Sequence, residues 1–294
     1  MRMNSGFPVK LRYGMQLGWT AIMALSRAGG FELSGHMAFT AMLSLFPFLI
    51  FIAALTGFLG DSETAGYFID NMFRFFPNDV AKALTPALEQ VLTSRRGGLL
   101  SIGLLGTIWA AASGVDALRT ALDSAYAVKE SRPLWFTKLQ SIAVVFTVGV
   151  AVFAASLTII LGPFIWNAAK YFMPVDESLR WVMEVARFVL GLAVLTIAVA
   201  ILHRYLPNLR PPWRQIWPGA LLTTFLWVAG AYLFSLYLGT IADYGATYGS
   251  LAGVIITLLF FYIAALMFIF GAEINAVLRG QRQPAMVQAV ADQA

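Results

Sequence analysis

The sequence predicts an all-α polytopic membrane protein, and three observations carry that prediction. Apolar runs recur at about 37–60, 97–115, 139–161, 185–202, 215–242 and 247–272, six in all. They are continuous, whereas the strands of a membrane β-barrel alternate in segments of about ten residues. Of 294 residues, 12% are charged and 59% hydrophobic, against about 25% charged in an average soluble domain. The strongest runs come last: between Gln215 and Ala272 a single formal charge, Asp243, divides 58 residues into uncharged stretches of 28 and 29. At about 1.5 Å per residue, either stretch as a helix exceeds a hydrocarbon core of about 30 Å. The two form a membrane hairpin.

Residues 1–36 read as a cytoplasmic or interfacial arm, 37–280 as a six-helix membrane domain and 281–294 as a cytoplasmic tail. The arm carries Arg2, Lys10, Arg12, Arg27 and Glu32 without a long apolar core, so no signal peptide is expected and the first span acts as the insertion signal. Within it Leu11, Met15, Trp19 and Ile22 share a helical face. That pattern suits a helix lying at the membrane surface or packing on the bundle.

Span 1 contains Pro47, where a missing hydrogen bond predicts a kink. The polar stretch 61–96 holds two groups of apolar residues around Pro77-Asn-Asp79, which predicts two short amphipathic helices in an external loop. After span 2, Asp116, Arg119 and Asp123 share one helical face, at spacings that let them pair with each other or face a ligand. Span 4 is the anomaly. Its uncharged stretch, 188–202, has 15 residues, about 22 Å of helix. It must therefore draw on the preceding turn with Trp181, Glu184 and Arg187. Arg187 either snorkels and pairs with Glu184, or borders an outward polar cavity with Asp243 and holds an anionic group.

The second arm of the hairpin opens with Gly245, Gly249 and Gly253 at i, i+4 and i+8. A face without side chains lets another backbone approach in lipid, or faces a substrate. The arm ends at Glu273, where the chain is expected to meet water. By side, Lys and Arg divide thirteen to seven, and the positive-inside bias places both termini in the cytoplasm.

These residues resemble the YihY/BrkB family of bacterial inner-membrane proteins. The resemblance rests on 38–59 around Pro47, on Trp109-Ala-Ala-Ala-Ser-Gly114 with Asp116-Ala-Leu118 and Ala121-Leu-Asp123, and on Leu206-Pro-Asn208. It continues through Trp217-Pro-Gly-Ala220, Phe234-Ser-Leu-Tyr237, Tyr248-Gly-Ser-Leu-Ala252 and Gly271-Ala-Glu-Ile-Asn275. It covers roughly 10–280. Many members carry Asn where this chain has Asp123. The family implies a six-span inner-membrane protein. Its members have been labelled a tRNA-processing ribonuclease, linked to serum resistance, and connected with envelope lipid export.

A metal-dependent nuclease needs clustered His, Asp or Glu ligands, yet the chain has two histidines, His36 and His203, each expected beside a membrane boundary. With no cysteine, no disulfide framework or thiolate metal site is proposed. A net charge of +5 reports topology and lipid headgroups rather than nucleic acid. No phosphate loop or nucleophile motif appears, so no enzyme, metal or cofactor is expected. Two readings remain. One is a polar cavity or groove that transports or handles a lipid-like amphiphile, with membrane lipids as partners. The other is a scaffold or accessory subunit that binds an envelope partner or a second copy of itself.

Overall fold

The computed structural model describes residues 9–59, 99–147, 178–240 and 251–280. The described residues form seven helices and no strand. These are α1 (Val9–Arg27), α2 (Gly30–Leu59), α3 (Leu99–Ala125), α4 (Leu134–Thr147), α5 (Ser178–Tyr205), α6 (Trp213–Thr240) and α7 (Leu251–Leu278). Within α5, α6 and α7, the stretches Phe188–Tyr205, Trp213–Gly239 and Ala252–Leu278 are long and apolar enough to cross a membrane. The runs at 37–60, 97–115 and 139–161 fall on α2, α3 and α4, parts of which lie outside the described residues.

The short fourth run gains length as expected. Helix α5 starts at Ser178 and has 28 residues, so the turn with Trp181, Glu184 and Arg187 is helical. Helix α2 runs through Pro47 without ending. The two external helices expected over 61–96 lie outside the described residues.

Helix α7 is the centre of the packing. It contacts α6, α2, α1 and α3, while α5 packs on α6 and α2 packs on α3. The expected hairpin is present as α6 against α7. Trp227 Nε1–H donates to the Ala264 carbonyl at 2.8 Å, and nearer the far end the rings of Phe234 and Phe260 lie 5.9 Å apart. Thr196 Oγ1 meets Thr224 Oγ1 at 3.0 Å between α5 and α6. Ser44 Oγ on α2 donates to the Ala110 carbonyl of α3 at 3.0 Å. Outward faces carry exposed Phe188, Leu221, Phe225, Leu233 and Leu236, which suits a surrounding of lipid tails.

One end of the bundle gathers the α1–α2 turn, the segments 126–133 and 206–212, and the C-terminus of α7. Three helices stop there on a left-handed residue: Gly29 (φ 69°), Ala127 (φ 52°) and Gly280 (φ 74°). At Ala127 the Val128 N–H reaches the Asp123 carbonyl (2.9 Å) and the Ala127 N–H reaches that of Ser124 (3.0 Å), the bonding of a Schellman cap. Ser124 Oγ donates to the Ala28 carbonyl at 2.8 Å, which ties α3 to the α1–α2 turn.

The arm helix packs on the bundle, one of the two placements its apolar pattern allows. Ala21, Ala24 and Leu25 are buried, while Trp19 and Ile22 are exposed. The small-residue face docks on the bundle, and the aromatic face is left outward for the membrane interface.

The hairpin helices approach closely at Gly219 and Gly271. A Cβ on Gly219 would overlap the Gly271 carbonyl and the Asn275 side chain, and one on Gly271 would overlap Thr223 and the Gly219 carbonyl. Gly245 and Gly249 lie outside the described residues, and Gly253 is half-buried. Gly219→Ala is therefore expected to destabilise the protein by about 1–3 kcal/mol through overpacking, read as a lower melting temperature in detergent. Gly191, with nothing near its Cβ position, is the control: Gly191→Ala should leave the melting temperature unchanged or raise it. Equal melting of the two variants would contradict the close crossing.

Candidate functional site

Small side chains on three helices leave a space in the bundle. Ala41 on α2, Ala111 and Gly114 on α3, and Ala264 and Ala265 on α7 line a cavity of about 410 Å³. Larger apolar groups make up the rest of its lining, Met37, Val115, Leu118, Leu202, Trp227, Phe261 and Phe268, and the space is open on one side. Its volume falls in the range of about 300–1,000 Å³ usual for small-molecule sites. Phe268 stacks on Trp227 (centroids 6.3 Å apart, planes at 18°).

Behind Phe268, at the loop end, lies a polar cluster with no solvent exposure: Tyr126, His203, Glu273 and Asn275 are all 0% exposed. Pro218 lies inside α6, where it has no N–H and disturbs the turn before it. The next N–H, that of Gly219, donates to Asn275 Oδ1 at 2.8 Å. With that oxygen taken, Asn275 Nδ2 lies 3.4 Å from Tyr126 Oη and 3.3 Å from His203 Nδ1. An amide nitrogen only donates, so Nδ2 faces the Tyr126 oxygen and the His203 ring as a donor. The His203 ring meets Phe268 edge-on at 4.7 Å. One asparagine thus joins α7 to α6, to α5 and to the end of α3.

This corrects two expectations. His203 was expected at the interface and Glu273 in water, and both are fully buried. The reason is coverage: α1 packs over α7, and the 206–212 segment folds back with Leu206 buried. His36 is exposed on α2.

The charges after span 2 form a second structure at the same end. Arg119, 5% exposed, donates from Nη1 to Asp116 Oδ1 (2.6 Å). Its Nη2 donates to the Thr137 carbonyl (2.8 Å) and to Ser141 Oγ (2.7 Å) on α4. Ser141 Oγ donates on to Asp116 Oδ1 (2.7 Å), and Lys138 pairs with the other carboxylate oxygen. Burial works to raise the Asp116 pKa, but the hydrogen bonds from Lys138, Ser141 and Arg119 outweigh it and hold the group below its usual range.

Asp123 turns elsewhere. Its Oδ1 accepts the Asn208 backbone N–H at 2.6 Å, and Asn208 Nδ2 donates to the Lys129 carbonyl and Ser131 Oγ, both at 2.8 Å. Arg132 bonds Glu130 and the Leu206 carbonyl (2.9 Å). Burial raises the Asp123 pKa above its usual value, against the lowering effect of the Asn208 N–H.

Of the residues singled out in the sequence, Asp116 and Arg119 pair as their spacing allows, and Asp123 joins a different network. The three work as ties between α3, α4 and the 206–212 segment. Arg187 and Glu184 lie on α5, with side chains outside the described residues, and Asp243 falls outside them altogether. Among the described residues no three His, Cys, Asp or Glu side chains are grouped to hold a metal ion. The polar cluster went unread because apolar-run counting treats a polar residue as a span boundary. Its available signal was the pair of stretches Trp217-Pro-Gly-Ala220 and Gly271-Ala-Glu-Ile-Asn275, each with glycine beside a polar or proline residue.

A family model described as "Virulence factor BrkB" matches residues 21–293. The chain belongs to the BrkB family. Among its BrkB-type relatives, the ribonuclease-like protein YfkH of Bacillus subtilis (strain 168) is 32% identical over 252 residues, 85% of this chain and 90% of that protein. The UPF0761 membrane protein RSc1559 of Ralstonia nicotianae is 28% identical over 88% of this chain and 58% of its own length. A UPF0761 membrane protein of Stenotrophomonas maltophilia (strain K279a), Smlt0865, is 24% identical over 86% of this chain and 58% of its own length. This chain therefore spans under two-thirds of those two UPF0761 proteins. No solved structure matches it.

The raised Asp123 pKa has a definite sign. A carboxyl that holds its proton more tightly folded than unfolded favours folding below the unfolded pKa, and that advantage is lost as pH rises through the folded pKa. Asp123→Asn keeps an acceptor for the Asn208 N–H and removes the buried charge. Its melting temperature should equal or exceed the parent's at pH 7, with any gain disappearing towards pH of about 4. Asp123→Ala, which strands the N–H, should melt lower at both pH values. A drop for Asp123→Asn as large as for Asp123→Ala would contradict this account.

Proposed function

We propose that this BrkB-family chain is an inner-membrane protein that binds an amphiphilic, lipid-like envelope component within its helices and moves or presents it. The observation that carries the reading is the apolar cavity of about 410 Å³ among the packed helices of a membrane protein. The polar ties support it, because they hold the loop end together while the cavity wall is apolar, with small side chains beside large ones. Membrane lipids are then its natural partners.

The same reading assigns no hydrolytic chemistry. His203 is engaged with Asn275 and Phe268, and the acidic residues after span 2 are engaged in cross-links. The ribonuclease-like name belongs to YfkH and is not carried over. Both termini are placed in the cytoplasm on the thirteen-to-seven basic asymmetry.

Two experiments test this. The chain lacks cysteine, so a cysteine placed at Ser62 should react with an impermeant maleimide in spheroplasts and one at Gln283 should not; the reverse pattern rejects the orientation. Ala111→Phe should fill the cavity. In a strain lacking the protein it should fail to restore envelope integrity at normal protein level, whereas Leu236→Ala on the outward face should restore it. Full restoration by a folded Ala111→Phe protein would favour a scaffold instead.

A further inference from the structure

The side chains of the cavity wall offer a headgroup no free hydrogen-bond donor. Two of its side chains are polar, Ser44 and Trp227, and both are engaged. Ser44 Oγ is shared between the Thr40 (2.8 Å) and Ala110 (3.0 Å) carbonyls, and Trp227 Nε1–H is given to Ala264 (2.8 Å). Small-molecule sites normally place a few convergent polar groups that orient the ligand. A buried water also needs two to four polar partners. This wall suits neither.

The cavity is bounded from the polar cluster as well. Phe268 lines it and presses its other contacts on His203 and Trp227, so the buried Tyr126, His203 and Asn275 lie behind an aromatic partition. Along α7 the lining runs from Phe261 to Phe268, and along α3 from Ala111 to Leu118, about 10 Å of helix in each case. One leaflet of hydrocarbon is about 15 Å deep, so the space matches part of a single lipid tail.

We propose that this cavity is a hydrocarbon-chain subsite that takes one acyl chain from the bilayer and reads the chain, not the headgroup. This rests on the amphiphile reading above and narrows it. The occupant follows from the surroundings: a tail drawn from lipid sheds no water on entry, because lipid interior and cavity wall are equally apolar. It also restores the packing contacts that an empty void forfeits. The small side chains set the bore. A leucine at Ala264 or Ala111 would occupy the space the chain needs.

The test uses the full chain in lipid nanodiscs and three photoreactive probes with one diazirine-bearing palmitoyl chain: the free fatty acid, a phosphatidylcholine and a phosphatidylglycerol. Labelled peptides are mapped by mass spectrometry. All three probes should label 111–118 and 261–268 as well as the lipid-facing 188–194. Ala264→Leu should lose the first two labels and keep the third. Should Ala264→Leu fail to fold, Ala111→Leu takes its place, and the headgroup comparison on the parent protein decides by itself. Cavity labelling by one headgroup class alone would overturn chain-only reading and leave amphiphile binding standing. Labelling confined to 188–194 with every probe would overturn both.

Discussion

The bundle depends on the burial of α7 on every side at the loop end. Every residue from Gly271 to Ala276 is buried, so over that stretch no stripe of the helix faces lipid or water. A helix buried all round is a central element. The other helices arrange themselves about it, and its polar residues must find partners inside the protein. Asn275 meets that demand by accepting the N–H of Gly219 and by placing its amide nitrogen beside Tyr126 and His203. The glycines at 219 and 271 make the approach possible. In a low-dielectric surrounding such a network is strong when satisfied and costly when it is not.

From that constraint the two halves of the site follow. At the loop end, long-range polar ties fasten segments far apart in sequence: Asp123 to Asn208, Arg119 to α4, Arg132 to Leu206. Further into the bundle the contacts become apolar and the side chains small, and packing between α2, α3 and α7 leaves space. Phe268 marks the change. One face of its ring environment is the buried histidine, and another is the cavity. The molecule thus has a fastened end and, beyond it, an open apolar recess, an arrangement in which a tail can be held without breaking the polar ties.

The hairpin and the lengthened α5 were legible in the sequence, because apolar run length answers directly to bilayer thickness. The pairing of Asp116 with Arg119 was legible from helical spacing. What spacing cannot express is the return of the chain on itself. Asp123 meets a backbone N–H 85 residues away, and His203 and Glu273 become buried because α1 and the 206–212 segment cover them. A glycine also has two readings in one dimension. The stripe from Gly245 reads as a packing face but begins outside the described residues, while a close crossing in the described hairpin is at Gly219 and Gly271. In the Ala-rich run after Trp109, Ala111 lines the space and Ala112 is buried in the core.

A cryo-electron-microscopy map of the full chain in a lipid nanodisc tests the central claim most directly. The account predicts continuous side-chain density from Asn275 to Gly219 and His203. It also predicts an elongated density, unconnected to the chain, between Gly114, Trp227, Ala264 and Phe268. A closed interior, with Phe268 turned into the space and α3 packed directly on α7, would contradict it.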